Sequence, residues 1–339
     1  MFLTIISNLE LGHEIMEKTE KKSKVAIIGL GIMGRRMLKH MRLHPDFEPD
    51  FLWDLDKNVC ELALKDDPNS TIMESATDAI QAADLVYLAC PPLVRKPYAI
   101  EAARLGKALF LEKPLGVSIE ASEDLVFELN KHKIPLAVNF TQAAGIPLTN
   151  LLKEKKNGLL GNILGVDIVV TYPFWPREWQ KEADWLRYKE EGGMTREVIS
   201  HFLFFSERVL GPLKLIWAKT IYPENSSLCE TDVLARLESD NGCHVNILAS
   251  VGGVQPDRQE LTVKGSKRSR RISEFYKDSE SLGTEFLPLR EEPIDPRAES
   301  LKGQLDDLSL NIRGLPNRLA TIEEAFRVQV LVENILSKS

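Results

Sequence analysis

The sequence is short of anything that would cross-link it, anchor it in a bilayer or hold it on a polyanion. Its four cysteines, Cys60, Cys90, Cys229 and Cys243, stand far apart with no CxxC pair. Such spacing fits reduced thiols in a cytoplasmic protein better than a disulfide framework or a zinc knuckle. No cluster has metal-ligand spacing, so no metal is expected. No apolar run reaches the length of a membrane span. The opening MFLTIISNLELGHEI lacks the basic flank, long apolar core and cleavage site of a secretion signal. Residues 1–22 read as a disordered extension, and neither membrane insertion nor secretion is expected. Cations are outnumbered as well: 43 Lys and Arg against 50 Asp and Glu leave a net charge of -7. Nucleic-acid binding, which needs clustered positive charge, is therefore not expected. The one basic run, KGSKRSRR over residues 264–271, reads as the solvated edge of a hairpin.

What is present is an ordinary globular balance, 43% hydrophobic and 27% charged, in 339 residues, a length that suits two domains with a core each. The first carries a nucleotide-binding pattern. In KVAIIGLGIMGRRM an apolar strand, Val25 to Ile28, runs into Gly29, Gly31 and Gly34 and then into a helix. In that context Gly29 makes the tight turn, Gly31 lets a pyrophosphate approach the backbone, and Gly34 lets helix and strand pack closely. The helix start, at Ile32 and Met33, offers free N–H groups to the phosphates. A second strand, FLWD, ends at Asp54, twenty residues after Gly34, where a carboxylate accepts hydrogen bonds from ribose hydroxyls. That favours NAD over NADP, whose 2′-phosphate Asp54 would repel; Arg35 and Arg36 keep NADP as the alternative.

Two further strand runs follow, DLVYLAC over residues 84–90, stopped by Pro91 and Pro92, and KALFLE over residues 107–112. A helix between them ends at Gly106, and the alternation implies a doubly wound parallel sheet. Ligands bind at the carboxyl ends of such strands. Cys90, Pro91 and Glu112 are accordingly placed beside the cofactor, and Lys113, in EKPLG, points toward the same crevice. From about Asn150 the pattern changes to alternating runs such as NILGVDIVVTY, CHVNILASV and ELTVKG. These suit a sheet covered by helices on one face and free for a partner subunit on the other.

Two other stretches carry chemistry. EGGMTREVISHF, residues 191–202, sets Glu197 and His201 four apart, on one face of a helix, where the carboxylate could orient the imidazole. TYPFWPREWQKEADWLRY, residues 171–188, is rich in aromatics beside charges, and could wall a sugar-like ligand. Trp175, Asp184 and Arg187, with Arg196 next to Glu197, are the expected substrate contacts beside Lys113 and His201.

GLGIMG after a strand, ACPP, GKALFLEKPLG, GLLGNILGV, a GG pair eight residues before His201 and the C-terminal LATIEEAFRVQVLVENIL together resemble the Gfo/Idh/MocA family of oxidoreductases. The resemblance runs from about Lys24 to the C-terminus. It implies an α/β chain: a Rossmann domain over residues 23–142, then an α/β domain with a large, mostly antiparallel sheet over residues 143–339. The second domain binds substrate and forms subunit contacts, so a homodimer or homotetramer is expected. Lys113 matches the lysine of the family's EKP motif, which contacts the reacting hydroxyl beside the nicotinamide. His201 matches the catalytic histidine, and Glu197 stands where aspartate is usual. Arg95 stands about where the family commonly has histidine, VNFTQAAGIP replaces an arginine-rich stretch, and EGG replaces a triple glycine. The implied reaction is hydride transfer between NAD(P) and a secondary alcohol or carbonyl of a sugar- or cyclitol-like molecule. The alternatives are a non-catalytic NAD(P)-binding sensor, and an imine or C=C reductase of the same family.

Overall fold

In the first strand, β1 (Ser23–Ile28), the two-residue period of extended chain sends Val25 and Ile27 to one apolar cluster and Ala26 and Ile28 to another. A strand buried on both faces belongs inside a parallel sheet with helices on each side. The computed structural model, which describes residues 21–224 and 227–338, has that arrangement. Of the expected extension, residues 1–22, all but the last two lie outside the described residues.

β2 (Phe47–Trp53), β3 (Thr71–Ile72), β4 (Leu85–Leu88), β5 (Ala108–Glu112) and β6 (Leu136–Asn139) join β1 in a six-stranded sheet of order β3-β2-β1-β4-β5-β6, with every pairing parallel. The crossovers carry α1 (Ile32–Leu43), α2 (Lys57–Asp66), α3 (Ala76–Ala82), α4 (Pro92–Arg104) and α5 (Ile119–Asn130). Strand order reverses between β1 and β4, and the crevice beyond their carboxyl ends is where such sheets bind ligands.

After α6 (Ile146–Lys156) the second sheet forms from β7 (Ile163–Tyr172), β8 (Leu213–Ile221), β9 (Asp232–Ser239), β10 (His244–Val251), β11 (Arg258–Gly265), β12 (Ser269–Ser273), β13 (Lys277–Ser281) and β14 (Leu287–Pro288). Its order is β14-β13-β12-β11-β7-β10-β9-β8, antiparallel throughout except between β7 and β10. Against its inner face lies α7 (Ser200–Leu210), whose SHFLFFSE is buried on every side and carries His201. The run KGSKRSRR does form a hairpin, β11 to β12, but not an edge, since β13 and β14 pair beyond it. Nor is all of it solvated: Arg270 is fully buried between Asp278 and Glu154, because β13 supplies a carboxylate that the sequence pattern gave no reason to place there.

Two helices end the chain. α9 (Ile322–Leu336) packs on β8, α5 and α7, behind a capping box in which Thr321 and Glu324 exchange hydrogen bonds. α8 (Pro296–Ile312) returns to the first sheet, where Leu301, Leu305 and Leu308 join Val25, Ile27, Met37 and Leu38 in one core. A division of the chain at residue 142 thus separates the two sheets but not the two cores. Among the described residues no helix is long and apolar enough to cross a membrane, and no group of three ligating side chains could hold a metal ion.

Candidate active site

The glycine-rich turn joins β1 to α1. Gly29 has φ +97°, and a Cβ there would lie 2.5 Å from the Cys90 nitrogen, so only glycine lets the turn press against the end of β4. At Gly34 a Cβ would fall 1.9 Å from the Gly29 carbonyl oxygen. Gly31 is different: a Cβ there would meet nothing within 4 Å, and the residue lines a cavity of about 420 Å³. No side chain caps α1, which leaves its first N–H groups for an anion. Free amides beside an open glycine fit a dinucleotide pyrophosphate. Asp54 lines the same cavity, its carboxylate held by the amides of Leu30 at 2.7 Å and Asp56 at 2.9 Å.

β4, β5 and β6 end side by side and are tied by buried polar groups. Tyr87 and Asn139 both donate to Glu112 Oε1, the latter at 2.6 Å. Burial nonetheless pushes the Glu112 carboxyl above its ordinary range. Arg95, at the position that departs from the expected histidine, is buried and donates to the carbonyls of Cys90, at 2.7 Å, and of Glu112 and Pro114. It latches the turn after β5 to the end of β4.

Lys113 leaves β5 into the cavity. Its Nζ donates to the Glu197 carbonyl at 2.9 Å and pairs with the Glu197 carboxylate. Glu197 lies in a π-helical turn, Thr195–Ile199, that runs into α7; such turns widen the helix by a residue and often mark functional sites. Glu230 anchors the turn by accepting from the Thr195 amide at 2.7 Å, and packs so close to Gly193 that a Cβ there would lie 2.3 Å from it. The second oxygen of Glu197 accepts from Gln180 Nε2 at 3.0 Å and lies 3.9 Å from Arg177 Nη2.

His201 is buried edge-on to Phe140 and Phe275, at centroid distances of 5.7 and 5.4 Å, with Nδ1 lacking any hydrogen-bond partner. Burial, and then the charges of Lys113 and Arg177, push its pKa well below the ordinary histidine value, so the ring is neutral. The expectation that Glu197 orients this ring is corrected here. A neutral imidazole competes poorly with the full charge of Lys113 for the carboxylate.

The first part of the chain, residues 23–140, matches an oxidoreductase family with an NAD-binding Rossmann fold, and residues 152–271 match the GFO/IDH/MocA C-terminal domain. The chain belongs to the Gfo/Idh/MocA family of oxidoreductases. It is 25% identical over 195 residues to Oxidoreductase P35 of Formosa agariphila, a match spanning 56% of this chain and 59% of that protein. It is 20% identical over 280 residues to the uncharacterized oxidoreductase YrbE of Bacillus subtilis, spanning 80% of each. An oxidoreductase from Agrobacterium radiobacter, solved with NAD+, L-tartaric acid and magnesium, shares the fold with a TM-score of 0.81 at 15% identity, covering 94% of this chain and 97% of that one.

Within this Gfo/Idh/MocA fold the residues expected at the cofactor meet: Gly29, Gly31, Ile32, Met33, Asp54, Cys90, Pro91, Glu112 and Lys113 all line the cavity, with Gly34 packed behind. Of the expected substrate contacts, Lys113 and His201 line it and four others do not. Trp175 donates to the Leu186 carbonyl at 2.9 Å and packs on Tyr172. Asp184 and Arg187 pair with each other at 3.0 Å on the surface, their side chains 62% and 52% exposed. Arg196 is buried and grips Glu333 through two bonds of 2.7 Å, fastening the π-helical turn to α9. Being next to Glu197 in sequence does not place it beside the substrate, because successive helical side chains diverge by about 100°. The aromatic stretch does wall the cavity, but through Arg177, Trp179, Gln180 and Trp185. Arg36, Tyr276 and Arg297 complete that wall. Of these only Arg36 carried a sequence signal, its place just after the glycine turn.

Proposed function

We propose that this chain is an NAD-dependent oxidoreductase that moves a hydride between nicotinamide and a secondary alcohol, or its carbonyl, on a sugar- or cyclitol-like small molecule. One observation carries the reading: Lys113, Glu197 and the neutral His201 line one cavity with the open glycine of the nucleotide turn. Nicotinamide, when bound, supplies the hydride acceptor or donor. The protein handles proton and charge. His201, neutral and lining the cavity, takes the hydroxyl proton. Lys113 hydrogen-bonds the same oxygen and stabilises the negative charge that develops on it. Glu197 acts through Lys113, holding Nζ by its carbonyl and its carboxylate, and is a positioning residue. Asp54 favours NAD over NADP.

On this reading residues 23–142 seat the cofactor, residues 143–339 shape the substrate site, and the protein works in the cytoplasm with free thiols. Subunits associate through the outer face of the second sheet. Trp217, Leu234 and Leu248 are 49%, 46% and 48% exposed there, and Leu234 and Leu248 are register partners on β9 and β10.

A thermal-shift series with NAD and NADP, each alone and then with polyols and sugars, tests the cofactor, since ligands of the native state raise its stability. NAD gives the larger shift; no shift with either dinucleotide overturns the proposal. Lys113→Ala and His201→Ala each lower turnover by about 10²- to 10⁴-fold while NAD affinity, read by fluorescence, stays near wild type. Loss of cofactor binding in both variants would make the two residues structural.

A further inference from the structure

Three guanidinium groups converge on the indole of Trp179 from distant parts of the chain. Arg177 lies 4.7 Å from a ring centroid, Arg36 of α1 lies 5.2 Å away, and Arg297, in the first turn of α8, lies 4.9 Å away. All four residues line the active-site cavity. Burial, then the charge of Arg297, lowers the pKa of Arg36, as mutually repelling cations in a partly dry site require. The carboxylates on the same wall are engaged elsewhere. Asp54 is held by amides, Asp56 by Asn58, Glu112 by Tyr87 and Asn139, Glu182 by Arg35, and Glu197 by Lys113 and Gln180. Among the described residues no carboxylate forms an ion pair with Arg36 or Arg297, and the nearest to Arg177 is Glu197, at 3.9 Å. An indole face attracts each cation but supplies no counter-charge.

The cavity thus presents a cationic wall one side chain away from the reacting groups, because the Glu197 that approaches Arg177 is also the partner of Lys113. Guanidinium forks match the paired oxygens of carboxylate and phosphate. Resting on the oxidoreductase reading, we propose that the substrate is an anion, a hydroxy compound bearing a carboxylate or phosphate, and that Arg36, Arg177 and Arg297 bind that group beside Trp179. A negative charge there also offsets Lys113 and Arg177 at His201, and so restores basicity to the imidazole in the complex. The phosphates of the cofactor are the competing source of an anion.

The test uses NAD-saturated protein, so that the pyrophosphate seat is filled, and inorganic phosphate and malonate as probes against chloride at matched ionic strength. We expect saturable thermal stabilisation by either probe, weakened at least tenfold in Arg297→Gln and less in Arg297→Lys, with NAD affinity changed less than twofold. Absence of a saturable shift beyond that of chloride, or a shift unaltered by Arg297→Gln and by Arg36→Gln, overturns the anion site while leaving the NAD reading standing. A tenfold loss of NAD affinity in those variants assigns the arginines to the cofactor and likewise overturns it. A wild-type protein that gives no shift with NAD or NADP sinks the oxidoreductase reading instead.

Discussion

Glu197 and His201 stand four residues apart in the sequence and end in different electrostatic company. The carboxylate was legible as part of a site because EKP and a carboxylate–histidine spacing are local patterns. Its true partner was not, because Lys113 reaches it from a strand end 84 residues away. What the histidine is left with, burial and two neighbouring cations, has a measurable consequence. The folded protein resists a proton that the unfolded chain accepts near the ordinary value of 6.5. Below that pH the unfolded state binds more protons, so stability rises with pH up to about 6.5 and this group adds no slope above it. His201→Gln therefore flattens the acid side of the stability profile, by at most about 1.4 kcal/mol per pH unit, in urea titrations of the cofactor-free protein. A slope identical to wild type would assign the acid sensitivity to other groups.

At the scale of elements, the glycine turn was readable in full, because its three glycines answer to backbone geometry within ten residues of chain. Their roles separate under substitution. Gly31→Ala meets no protein atom and costs less than about 1 kcal/mol as a change at a helix start, yet places a methyl where the pyrophosphate approaches. It should keep its unfolding midpoint and lose NAD affinity. Gly34→Ala drives a Cβ into the Gly29 carbonyl and should lose about 1–3 kcal/mol or more of stability as well. Equal midpoints for the two variants, by differential scanning calorimetry, would contradict this division. The aromatic stretch was legible as a cavity wall but not residue by residue, since its short 3-10 turns, Glu178–Gln180 and Asp184–Arg187, have no long-range period to say which side faces inward. Arg196 was misread for the same reason that Arg270 was: each answers to a carboxylate, Glu333 or Asp278, on an element that sequence spacing does not bring near.

For the molecule as a whole, order of strands and helices was legible from alternation, while the convergence of Arg36, Arg177 and Arg297 depends on how three segments fold onto one cavity. The outer face of the second sheet gives the proposed assembly its check. Light scattering should report a dimer or tetramer for the wild-type chain and a smaller species for Leu234→Glu, which sets a charge among exposed apolar side chains. A wild-type monomer would end that proposal.

The return of α8 to the first sheet bears on how such a protein can change over time. Exchanging the first 142 residues for another nucleotide-binding unit would strip Leu301, Leu305 and Leu308 of the surface they cover, so the cofactor seat cannot be inherited as a cassette. Arg297 rides on that same helix. Variation that moves α8 to refit the cofactor half would shift one member of the arginine group with it, and drift in one trait becomes drift in the other.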